Sequence, residues 1–125
     1  MTVNGHTHPC KSYAIWVYLS MLFVETRIFT RLLPDYLTDE EYKDFQAHLA
    51  ANPEAGDIMQ RMGGLRKVRW KSKGKGKRAG VRIIYYFHSS VSRIYLLTLY
   101  AKNEVSDLSP EECKALMKLV KEWNL

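Results

Sequence analysis

Lys67, Arg69 and Lys71 stand at alternate positions in "LRKVRWK", so an extended chain turns all three cations to one side. Arg82 follows in "VRIIYYF", beyond a run of lysines and glycines, and it joins them if the two segments pair in the right register. Cations gathered this way suit the cleavage of RNA without a metal. That reaction removes a proton from the 2′-hydroxyl, stabilises charge on the phosphoryl oxygens and returns a proton to the leaving 5′-oxygen. Histidine and glutamate are the familiar acid–base pair, yet the strand-like segments offer only His88, beside a turn. A lysine packed among other cations gives up its proton more readily, because like charge disfavours protonation. Such a lysine serves as a base while neighbouring arginines hold the phosphate. The plainer alternative for these residues is a solvated strand face.

The run "SKGKGKRAG" between the two segments invites comparison with a phosphate-binding loop, and the comparison fails. A P-loop needs a Ser or Thr directly after its lysine to bind magnesium. Here Gly76 and Lys77 are followed by Arg78, and the first glycine position is Lys71. The glycines instead give a loop whose lysines can follow an irregular polyanion. Arg66, Lys73, Lys75, Lys77 and Arg78 are therefore the candidate RNA-binding cations. Tyr85, Tyr86, Tyr95 and Tyr100 lie on the same strands and offer stacking surfaces for unpaired bases, or else core rings with a wet hydroxyl.

The charge distribution supports an anionic partner. Residues 58–103 hold twelve Lys and Arg and no Asp or Glu, a charge of +12. The rest of the chain has seven bases against thirteen acids, so the net +6 conceals two opposed halves. A merely soluble surface mixes both signs. At 125 residues, 46% of them hydrophobic, the chain is sized for one domain with one core. Cys10 and Cys113 make no disulfide framework, which points to a reducing cytoplasm. His6 and His8 are weak evidence for a metal, and no metal or cofactor is expected. Residues 1–20 precede a second methionine and are expected to lie outside the domain, as a poorly ordered extension whose apolar run is too short to span a membrane.

The elements that must position these cations can be read in turn. Phe23 to Phe29 is rich in β-formers and reads as a strand. Thr38 with Glu41 makes a capping box for a helix whose apolar stripe is Tyr42, Phe45 and Leu49, stopped by Asn52 and Pro53. "EAGDIMQRM" offers Ile58, Met59 and Met62 and reads as a shorter second helix ended by Gly63 and Gly64. Three strands follow in "LRKVRWK", "VRIIYYFH" and "RIYLLTLYAK", the last two joined by a short loop at 88–92. Ser109, Pro110 and Glu112 open a closing helix with Leu116, Leu119, Val120 and Trp123 on its buried stripe. The order is β-α-α-β-β-β-α, the α+β class: two N-terminal helices and a C-terminal helix on an antiparallel sheet of about four strands.

From about Met21 onward, "GGLRK", "SKGKGKR", "RIIYYF" and "YAKNEVSDLS", in that order and spacing, resemble the RelE superfamily of toxins, closest to its HigB branch. The resemblance implies a RelE-like fold over residues 21–125 and the toxin of a type II toxin–antitoxin pair. Such toxins bind the ribosomal A site and cleave translated messenger RNA without metal, inhibiting translation and growth. It implies a cognate antitoxin, HigA-like and DNA-binding, through which alone the pair would meet operator DNA. Carried over position by position, it places active cations at Lys67, Arg69, Arg82 and Lys102. The family has an arginine after that last lysine and a catalytic tyrosine further along; here those positions fall on Asn103 and about Ser109. Tyr100 or a loop lysine is left to stand in, so the candidate catalytic set is Lys67, Arg69, Lys71, Arg82, Tyr100 and Lys102. Two alternatives stay open: a ParE-like toxin that poisons gyrase without cutting RNA, and a nucleic-acid-binding module that only holds phosphate.

Overall fold

Thr26 decides how the chain leaves the strand that begins at Met21. Its hydroxyl accepts a hydrogen bond from the Phe29 amide at 2.9 Å and donates one to the Leu97 carbonyl at 2.8 Å. The first bond caps a helix; the second ties that cap to the sheet. In the computed structural model, which describes residues 13–18 (backbone only), 21–72, 80–101 and 108–123, the strand β2 (Met21–Thr26) therefore ends at Thr26. Helix α1 (Arg27–Tyr36) begins at once. The strand expected to run on to Phe29 is thus a strand followed by a helix. Phe29, Leu32, Leu33 and Tyr36 fall at i, i+3, i+4 and i+7 and pack on the core, which outweighs the β-propensity of "TRIF".

Helix α2 (Asp39–Ala51) forms as its capping box requires, with Glu41 N to Thr38 Oγ1 at 3.1 Å and Thr38 N to Glu41 Oε1 at 2.9 Å. Tyr42, Phe45 and Leu49 are buried beneath it. The second helix expected in "EAGDIMQRM" does not form. Asp57–Ile58 is a two-residue strand, β3, and Arg61, Gly63 and Gly64 adopt positive φ angles of 60°, 65° and 93°. Three left-handed residues within four positions make a tight turn and exclude a helix.

Strands β4 (Arg66–Trp70), β5 (Val81–His88) and β6 (Arg93–Ala101) form the expected meander, with a short 3₁₀ turn at Ser89–Val91. The sheet is larger than expected. Its six strands run in the order β1-β2-β6-β5-β4-β3, and the β2–β6 pair is parallel, which makes the sheet mixed. The added edge is β1 (Tyr13–Tyr18), antiparallel to β2 (Met21–Thr26). It comes from the segment expected to lie outside the domain; an uncharged six-residue run, five of them strand formers, pairs with β2. Residues 1–12, with Cys10, His6 and His8, lie outside the described residues.

Helix α3 (Pro110–Trp123) opens on a second capping box, Glu112 N to Ser109 Oγ at 3.1 Å and Ser109 N to Glu112 Oε1 at 2.8 Å. Cys113, Leu116 and Val120 are buried under it, and Trp123 stacks on Tyr95 at 4.6 Å. The sheet thus carries a core on each face. Phe23, Val68, Ile83, Tyr85, Ile94 and Leu96 face α1 and α2. Val24, Leu65, Ile84, Tyr95, Leu97 and Tyr100 face α3. No helix among the described residues is long and apolar enough to cross a membrane.

Candidate nucleic-acid interface

Strand alternation sorts the candidate residues between these faces. Val81, Ile83 and Tyr85 point toward α1 and α2, so Arg82 turns with Ile84 to the face that α3 covers. Register then decides what it meets. Arg69 lies directly opposite Arg82, and Arg82 lies opposite Tyr100 on the next strand. Arg69, Arg82 and Tyr100 thus form one row across three strands, neighbours being about 5 Å apart at their Cα atoms. Lys67 stands one step along the same face, opposite Ile84, and exposed Lys71 follows just past the end of β4.

Two arginines set opposite each other on adjacent strands repel, and the arrangement suits an anion between or above them. Neither β4, β5 nor β6 carries an Asp or Glu. The residues differ in exposure in a way that fits a socket. Arg69 is exposed and Lys67 half-buried, while Arg82 keeps only 7% of its surface. Its guanidinium lies along the strand toward Gly80, whose Cβ, if it had one, would sit 4.0 Å from Arg82 Nη1 and 3.1 Å from the Trp70 carbonyl. Gly80 also has φ +84°, so both its geometry and its neighbours favour glycine.

The base of the lysine–glycine segment is anchored on both sides. Trp70 pairs with Val81 as the last rung of the β4–β5 ladder. Ser72 is buried and donates its hydroxyl to the Tyr36 carbonyl at 2.7 Å, tying the chain to the end of α1. Trp70 packs edge-on against Phe45, with ring centroids 5.4 Å apart. Ser72 escaped the sequence reading, since one serine in a basic run carries no signal without the partner carbonyl. Lys73, Lys75, Lys77 and Arg78, and likewise Lys102, lie outside the described residues.

Arg66 is not brought to the row. It sits on the opposite face, where its Nη1 donates to the Gly56 carbonyl at 2.7 Å and the Glu54 carbonyl at 3.2 Å. Its Nη2 lies 3.9 Å from the Glu54 carboxylate. Arg66 therefore holds the loop after α2 in place. His88 is equally remote. It pairs with Arg93 at the far end of β5, about 20 Å along the strand from Arg82, so it cannot share a phosphate with the row.

Of the four strand tyrosines, only Tyr100 stands in the row. Tyr85 is fully buried on the other face, accepting from the Gly56 amide at 2.9 Å and donating to the Pro53 carbonyl at 2.8 Å. Burial pushes its pKa up, as expected of a structural phenol. Tyr86 and Tyr95 stack on each other with centroids 6.2 Å apart, beside Trp123. They belong to the α3 core and offer no open platform for bases. What the row itself can do is bind a phosphodiester, neutralise charge as it develops there, and present a phenol and a lysine within a strand's width of it. The family model described as "RelE toxin of RelE / RelB toxin-antitoxin system" matches residues 24–125.

Proposed function

The chain belongs to the RelE toxin family, the toxins of toxin–antitoxin pairs, and from that premise we propose that it is a ribosome-dependent endoribonuclease that cuts translated messenger RNA. The observation that carries this reading is the pairing of Arg69 with Arg82 and of Arg82 with Tyr100 on one sheet face. In this role Arg82 and Arg69 grip the non-bridging oxygens of the scissile phosphate. The 2′-oxygen of the preceding ribose attacks the phosphorus while Lys67 or Lys71 takes its proton. The 5′-oxygen leaves with a proton from Tyr100 or Lys102, so the products are a 2′,3′-cyclic phosphate and a 5′-hydroxyl. No step needs a metal in this scheme. Lys73, Lys75, Lys77 and Arg78 hold ribosomal RNA, a salt-sensitive contact.

A toxin of this kind works in the cytoplasm on the A site of the ribosome, and a cognate antitoxin neutralises it there. The antitoxin is the HigA-like, DNA-binding member of the pair and brings the complex to its operator. The test is to express the chain alone and with the product of its neighbouring gene, then map cut ends on a translated message by primer extension. Growth arrest, relief by the neighbour and discrete cuts inside codons are the expected result. Arrest with intact messages and poisoned gyrase would overturn the nuclease in favour of a gyrase-directed toxin.

A further inference from the structure

The two edges of the sheet are built differently. At one end, β3 is two residues long, begins with Asp57, and is closed by a turn in which the Met59 amide donates to the Leu65 carbonyl at 2.8 Å. Shortness and charge keep such an edge from pairing with another chain. At the other end stands β1, the first strand in the order β1-β2-β6-β5-β4-β3. It runs for six residues, "YAIWVY", without Lys, Arg, Asp, Glu, Pro or Gly. On its inner side every residue is in register with β2, from Tyr13 opposite Thr26 to Tyr18 opposite Met21. Among the described residues no strand pairs with its outer side. About half of its backbone N–H and C=O groups therefore point away from the sheet, and the partner that satisfies such a row is another extended strand. β1 also lies ahead of residues 24–125, the part of the chain that matches the RelE family.

We propose that β1 pairs antiparallel with β1 of a second copy of this chain, joining two six-stranded sheets into one. A twofold axis perpendicular to the sheet keeps both faces in place, so α1 and α2 of the two copies stay on one side and α3 of both on the other. A strand from a different protein would satisfy the same hydrogen bonds, but only a second copy brings both helix layers in matching positions. The alternation of strand faces requires the axis to pass through a residue rather than between two. In this strand that residue is Ile15 or Trp16. An uncharged strand suits the symmetry, because a charge near the axis would meet its own copy. The net charge of +6 does not oppose the pairing. Arg82 stands on β5, three strands in from β1, so its two copies lie seven strand spacings apart, roughly 30 Å. That is well beyond the screening length of about 8 Å at physiological salt. The cationic rows thus stay clear of the joint, one in each half of the double sheet.

The test is analytical ultracentrifugation of the full-length chain across a concentration series, beside Ile15→Lys, Ile15→Glu and an equal mixture of the two. The wild type is expected to pass reversibly from monomer to dimer as concentration rises. Each single variant is expected to dimerise about tenfold more weakly at low salt, because its new charge meets itself, and the mixture is expected to regain the dimer by pairing Lys with Glu. A wild type that stays monomeric throughout would overturn the proposal. So would dimers that persist undiminished in both variants, which would place the interface elsewhere, or a mixture no better than its components. A monomeric wild type that loses affinity for the protein encoded beside it on Ile15→Lys would assign the edge to that partner instead.

Discussion

Between β2 and the two N-terminal helices, Glu25 is 2% exposed and accepts hydrogen bonds from Tyr42 at 2.5 Å and from Thr30 at 2.7 Å. Nearby on that face, Arg66 and Tyr85 close on the carbonyls and amide of the loop after α2. On the other face of the same sheet, two arginines stand opposite each other with a lysine one step away. One face pairs carboxylate, phenol and guanidinium with polar partners, and the other sets like charges side by side. Burying a carboxylate is tolerable only where donors surround it, so the first arrangement serves the fold. Opposed cations on adjacent strands cost stability by themselves, so the second arrangement suits the binding role proposed for it.

The sharpest way to break this contrast is Arg82→Ala. Loss of a preorganised cation beside the reacting phosphate is expected to lower message cleavage by roughly 10²- to 10³-fold, with ribosome binding largely retained. Thermal unfolding should shift far less than the activity does, and a variant that unfolds while its residual folded fraction still cuts would end the distinction. Glu25→Ala tests the opposite face. It removes the acceptor of the Tyr42 hydroxyl in the core and is expected to remove about 2–4 kcal/mol of stability, a fall in Tm of roughly 10 °C. Cleavage measured well below that Tm should match the wild type. A lowered rate with an unchanged Tm would place Glu25 in the chemistry instead.

The same contrast explains what the sequence revealed. Caps and stripes are local, so Thr38 with Glu41 and Ser109 with Glu112 announced α2 and α3 before any tertiary contact was known. Alternation likewise put Lys67 and Arg69 on one side of β4. That Arg69 meets Arg82 was not legible, because register across a lysine–glycine segment depends on how its two ends are held. Ser72 on the Tyr36 carbonyl and Gly80 against Trp70 do that holding, and both act through partners distant in the chain or hidden in the backbone. Arg66 is alike: in sequence it is one more cation of the basic segment, and its hold on the Glu54 and Gly56 carbonyls appears only in the fold. Helix α1 was missed because Thr26 caps it from within a strand-like run.

The smallest expected effect comes from pH and concerns the closed face alone. Burial, and then the neighbouring Glu25 carboxylate, push the Tyr42 pKa well above its ordinary value near 10. Below pH 10 this phenol is protonated in both folded and unfolded chains, and its contribution to stability is complete. As pH rises past 10 the unfolded chain releases the proton while the folded one keeps it. The folded state then binds more protons, and stability falls by up to about 1.4 kcal/mol per pH unit for this one group. Denaturant midpoints measured between pH 9 and 11 should therefore decline in the wild type and decline less steeply in Tyr42→Phe. Tyr85, raised by its own burial, keeps part of the slope in that variant. Arg82→Ala should follow the wild-type slope, since the cationic row lies on the opposite face of the sheet from Glu25 and Tyr42. Equal slopes for the wild type and Tyr42→Phe would show that the carboxylate and phenol are not coupled in the folded protein, and the closed face would lose its defining pair.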